Sequence, residues 1–92
     1  MNLNQERMQR FEQDLRSAFK VTKLLIEDES HLHAGHAGAA SGGGHFKLTL
    51  QAPEFDGLSL VARHRAVYAA LQKHIQSEIH ALTINALASN EI

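Results

Sequence analysis

His45-Phe46-Lys47-Leu48-Thr49-Leu50-Gln51 alternates apolar and polar residues without a break. Successive side chains of an extended strand point to opposite faces. Phe46, Leu48 and Leu50 therefore share one face, and Lys47, Thr49 and Gln51 share the other. That pattern predicts a half-buried strand lying on a core. Upstream, Val21 to Asp28 is short, apolar and rich in β-branched residues, and predicts a first strand. The two are expected to pair antiparallel. Downstream, Ile79 to Ala86 predicts a third strand, with His80, Leu82 and Ile84 on one face.

Helical periodicity fills the intervals. Met8, Phe11, Leu15 and Ala18 follow i, i+3, i+4 spacing and predict a helix from Asn4 to Phe19. Asn2 or Asn4 is its expected N-cap. Pro53, Asp56 and Gly57 punctuate a turn, and Ser59 stands where a cap would. Leu60, Val61, His64, Val67, Tyr68 and Leu71 then recur at helical spacing through Lys73. Ile75 to Ser77 fits either a short further helix or a turn. The order α-β-β-α-(α)-β predicts a two-layer α+β domain, with a three-stranded sheet covered by helices on one face. The helix between the second and third strands allows that pair to be parallel. Residues 1–92 read as one small domain interrupted by a His/Gly-rich loop over 29–44.

Composition narrows the function. Nine basic and ten acidic residues give a formal net charge of −1, so no global field draws the chain to nucleic acid or anionic lipid. The absence of cysteine excludes disulfides, thiolate nucleophiles and thiolate metal ligands. No apolar run approaches the ~20 residues of a membrane span. The polar N-terminal segment has no signal-peptide core, so the expected location is cytoplasmic. Gly-x-Ser-x-Gly and Walker-type Gly-x-x-x-x-Gly-Lys patterns are absent. The acidic run Glu27-Asp28-Glu29 reads as a solvated strand end.

Histidine is the conspicuous chemistry. Four of the seven, His31, His33, His36 and His45, fall in or at the end of the Gly/Ala-rich loop. Imidazole is the commonest side-chain metal ligand and titrates near neutral pH. The spacing matches neither His-Glu-x-x-His nor a zinc finger. Two readings stay open on spacing alone: a solvated loop that happens to carry imidazoles, and a metal-binding arm. His80, on an apolar strand face, reads either as a hydrogen-bonded core histidine or as a ligand. His64, between Arg63 and Arg65, is a poor metal ligand because neighbouring cations disfavour added positive charge. Nothing in sequence marks His74.

Taken together, the motifs resemble the BolA family. They are Asp28-Glu29-Ser30 before a His-bearing loop, His45-Phe46 opening a strand, and Phe55-x-Gly57. Arg63-His64-Arg65, Val67-Tyr68, Leu71, and Ile79-His80-Ala81-Leu82 followed by Ile84 complete the set, in family order, from about Leu15 to Ile84. The resemblance implies a class II KH-like α+β fold. It also implies a non-enzymatic adaptor that partners a monothiol glutaredoxin, with its glutathione, and shares a [2Fe–2S] cluster with it. Carried over, the strand ligand is His80, and the loop ligand, three residues after the Glu-Ser pair, is His33. Where family members carry Ser-x-Ser-His-Phe, this chain has Gly42-Gly43-Gly44-His45-Phe46, and its longer loop leaves His31 and His36 as alternates. The rival expectation is a nucleic-acid-binding transcriptional regulator that uses the KH-like fold, with Arg63, Arg65, Lys47 and Lys73 as its candidate contacts and DNA as a possible partner. Against it stands the near-neutral charge.

Overall fold

Parity along the central strand sets the layers. The computed structural model describes residues 3–30, 43–75 and 77–91. Its elements are α1 (Leu3–Ala18), β1 (Lys23–Asp28), β2 (Gly44–Gln51), α2 (Leu60–Ala70) and β3 (Ile79–Leu87), with 3-10 turns at Pro53–Phe55 and Gln72–His74. The fold is the expected α+β arrangement. Strand order is β1-β2-β3, with β1 antiparallel and β3 parallel to β2. Leu24 and Ile26 pair with Leu50 and Leu48, which in turn pair with Ala86 and Ile84.

Phe46, Leu48 and Leu50 are buried beneath the helices. Phe11 and Leu15 of α1, Val67 of α2 and Leu71 at the C-cap of α2 close over them. Phe11 meets Phe46 edge to face, with ring centroids 5.1 Å apart. The expected cap at Ser59 is present, its Oγ accepting from the Ala62 N–H at 3.1 Å. Asn4 lies inside α1; its amide instead donates to Asp28 Oδ2 at 3.1 Å and to Ser30 Oγ at 3.3 Å. Asn2 lies outside the described residues.

Of the two readings left open for Ile75 to Ser77, the described residues fit the turn, which takes in Ser77. The chain tightens earlier, over Gln72–His74, and Ile75 makes an isolated parallel bridge to Ile79. In α2 the inward stripe is Arg63 and Val67, continued by Leu71 at the C-cap, while Leu60, Val61, His64 and Tyr68 are exposed. Apolar residues stand on both sides of this helix, so periodicity alone could not choose the buried stripe.

His74, unmarked in the sequence, anchors the approach to β3. It is 3% exposed, and its Nε2 and Nδ1 each lie 2.6 Å from a carboxylate oxygen, of Asp14 and Glu78 respectively. The Phe11 ring packs on it edge-on at 4.9 Å. Lys73 approaches Asp14 at 3.4 Å, and Arg10 pairs with Glu78. This network ties α1 to the turn that launches β3.

The hydrogen bond from His74 holds the Asp14 carboxyl below its ordinary range, with Lys73 assisting against burial. Burial pushes Glu78 up, but hydrogen bonds from His74 and Arg10 outweigh it and leave that carboxyl lowered too. Carboxyls with depressed folded-state values add stability that is complete above their ordinary values, 3.8 and 4.5 here, and is lost as pH falls through the lowered ones. Urea midpoints followed from neutral pH to about pH 3 should therefore fall on acidification. Asp14→Asn should lose about 1–2 kcal/mol at neutral pH and show a flatter acid limb. An unchanged acid limb in that variant would show that the network contributes nothing.

Candidate functional site

The site begins with a mismatch in strand register. Gly44 pairs with Ile79, but the next residue, His45, pairs with Ala81. β3 thus holds one residue more than β2 at this point, a β-bulge. Bulges interrupt pairing and re-aim a side chain, and they are over-represented beside functional sites. Ile79 is buried, His80 and Ala81 are both exposed, and the inward alternation resumes at Leu82 and Ile84. The expected common face of His80, Leu82 and Ile84 is therefore broken. The extra residue lifts His80 off the apolar face.

His45 is the neighbour it meets. Its parity is opposite to that of Phe46, so its side chain leaves the sheet on the face away from the helices. There its ring lies 5.2 Å from the His80 ring, centroid to centroid, tilted by 54°. His45 is nonetheless buried, at 7% exposure.

The described ends of the His/Gly-rich segment border this pair. On one side Ser30 Oγ accepts from the His45 N–H at 3.0 Å, and the Glu29 N–H donates to the His45 carbonyl at 2.8 Å. Asp28 caps the Ser30 N–H at 2.9 Å, and Asn4 braces both side chains. On the other side Gly43 lies against His80. A Cβ there would sit 3.0 Å from His80 Cβ and 3.1 Å from its backbone nitrogen. At Gly44 a Cβ would come within 2.7 Å of the Phe46 ring. The two glycines permit close approaches that a side chain would obstruct.

The remaining candidates scatter. His31, His33 and His36 lie outside the described residues. Arg63 is 8% exposed. It donates to the Leu58 and Ala86 carbonyls at 3.0 Å each and to Glu91 Oε1 at 2.5 Å. The Arg63 hydrogen bond and the Ala88 N–H hold the Glu91 carboxyl below its ordinary range. That guanidinium is committed to joining α2 to the end of β3. Arg65 is exposed on α2, Lys47 stands on the open sheet face opposite Glu27, and Lys73 leans on Asp14. They form no single basic surface. Among the described residues, no three His, Cys, Asp or Glu side chains gather as a metal cluster would require.

The residue that sequence reasoning set aside is His45, treated there only as a strand opener. Its parity was legible; its meeting with His80 depends on the bulge, which no local pattern announces. Gly43→Val should push His80 from its place. Nuclear Overhauser contacts between the His45 and His80 rings should weaken or vanish, while those between Phe11 and Phe46 persist. Intact ring contacts in this variant would refute a positioning role for Gly43.

A family model described as BolA-like protein matches residues 15–91. The BolA domain of SufE1 from Arabidopsis thaliana superposes with a TM-score of 0.82 at 38% identity, covering 94% of this chain and 95% of that one. Full-length SufE-like protein 1 of that plant, chloroplastic/mitochondrial, is 38% identical over 90% of the chain, which spans only 24% of its length. The chain likewise spans 52% of Arabidopsis Protein BOLA1, chloroplastic, at 36% identity over 87% of the chain. The protein named DNA-binding transcriptional regulator BolA of Haemophilus influenzae is 34% identical, over 87% of the chain and 75% of its own length. The match of sequence, motif order and fold shows that this chain belongs to the BolA-like family.

Proposed function

We propose that the chain is a non-enzymatic adaptor in iron–sulfur cluster assembly, transfer or iron sensing. In this reading it partners a monothiol glutaredoxin, with its glutathione, and the two share a [2Fe–2S] cluster. His80 is one ligand and His33 the other, with His31 and His36 as alternates. The observation that carries the reading is the bulge, which exposes His80 where both described ends of the His-bearing segment converge. Ser30 lies beside His45, and three further residues of extended chain reach at most about 10 Å. A His33–His80 ligand pair requires the chain beyond Ser30 to cover no more than a span of that order.

The donor set fits a shared site. The chain has no cysteine, so thiolate ligands must come from a partner. Such a cluster, with imidazoles replacing thiolates on one iron, would supply electron acceptance at raised potential and sensitivity to protonation. This chain presents imidazole, holds it by the β3 backbone rather than by core packing, and places the bulk of His45 beside it. The geometry suits a labile, interfacial site.

The test is reconstitution of the glutaredoxin pair with iron and sulfide, read by visible absorption and circular dichroism. His80→Ala should abolish the mixed-complex spectrum, and His33→Ala should alter or abolish it. Unchanged spectra in both variants would sink the proposal. DNA binding is the second reading, favoured by the name of the Haemophilus relative. It predicts salt-dependent affinity that survives His80→Ala and falls with Arg65→Ala. The internal bonds of Arg63 remove one of its four candidate cations from the surface.

A further inference from the structure

The exposed side of α2 is unlike an ordinary solvated helix face. Leu60 is 67% exposed, Val61 59% and Tyr68 42%. Residues 60, 64 and 68 form one i, i+4 ridge, and 61 and 65 form the ridge beside it. The outward face is thus Leu60, Val61, His64, Arg65 and Tyr68, all exposed together. α2 contains no Asp or Glu, so its only formal charge on this side is the Arg65 guanidinium. Tyr and Arg within an apolar setting are the side chains that most often anchor protein interfaces. Contiguous exposed apolar surface on a small domain marks an interaction site more often than isolated leucines do.

From this face we infer a second binding function: α2 docks an amphipathic helix of a partner protein whose apolar stripe is flanked by carboxylates. Two parallel i, i+4 ridges accept the ridge of another helix in the groove between them. The uncompensated Arg65 selects carboxylates beside that ridge. A second copy of this chain is disfavoured, because two α2 faces would oppose cation to cation with no acid between them. Nucleic acid is disfavoured because Leu60, Val61 and Tyr68 make up three of the five outward residues and Arg63 is turned inward, leaving Arg65 as the one guanidinium on this face. The face also looks away from the histidine pair. α2 covers the Phe46, Leu48 and Leu50 side of the sheet, whereas His45 and His80 stand on the other side. Both sides can be engaged at once, which makes the domain a bridge between two proteins. The inference does not depend on the iron–sulfur reading.

The experiment uses the full chain, labelled with nitrogen-15, and two synthetic helical peptides. The peptides share one Leu/Ile stripe; glutamates flank it in the first and lysines in the second. The acidic peptide should shift the amides of residues 60–69. The basic one should bind about tenfold more weakly, and Arg65→Glu should reverse the preference. Val61→Ser, at a site outside the core, should weaken the acidic peptide without changing the fold. His80→Ala should leave peptide binding intact. Four outcomes would overturn the inference: no α2 shifts, equal binding of both peptides, a DNA duplex bound more tightly on the same amides, or sedimentation showing that α2 closes a homodimer. Peptide binding together with failed cluster reconstitution would leave this inference standing and remove only the iron–sulfur one.

Discussion

The pleat of β2 is the constraint on which the rest of the molecule depends. It is the middle strand, hydrogen-bonded on both edges, and its Phe46, Leu48 and Leu50 are the floor on which both helices rest. A slip of one residue would present His45, Lys47 and Thr49 to the core instead. Register is therefore held by the burial of three large side chains, each contributing on the order of 1.5–3 kcal/mol. The same pleat fixes His45 outward. Because β3 joins β2 in parallel, the connection between them must cross the sheet, and α2 supplies that crossing. Fold and site thus follow from one strand with two dissimilar faces.

Buried polar groups secure the two ends of this arrangement. At the start of β3, His74 sits between Asp14 and Glu78; at its end, Arg63 gathers the Ala86 carbonyl and Glu91. Each network joins a helix to the same strand. Breaking one member of a buried charged network leaves its partner desolvated and uncompensated, which makes such groups positional locks more than sources of net stability. With both ends of β3 locked, the strand can carry an irregularity at His80 without losing its register further along.

Most of the fold was legible in local pattern. The alternation in β2 gave its span and inner face, and Phe11 and Leu15 marked the buried stripe of α1. Ser59 announced the start of α2 because a hydroxyl cap is a local interaction. What stayed hidden depends on contacts distant in sequence. The outward turn of Leu60, Val61 and Tyr68 follows from which side of α2 meets the sheet, and Arg63 wins a place inside only because Glu91 and the Ala86 carbonyl await it. At the candidate site, His80 was found by its resemblance to a family motif, not by its spacing. Its exposure and its contact with His45 come from a register shift between two strands, a property of the pair that neither strand shows alone. The membership of the family was legible because its motifs fall in order along nearly the whole chain.

The bulge has a consequence for how this protein can change over time. A histidine inside a packed strand face is bound to the fold, since any replacement must match its volume and its hydrogen bonds. His80 is relieved of that obligation. The core closes over Ile79 and Leu82, and His80 and Ala81 between them stand outside it. The side chain there can drift, be lost or be exchanged for another at little cost to stability.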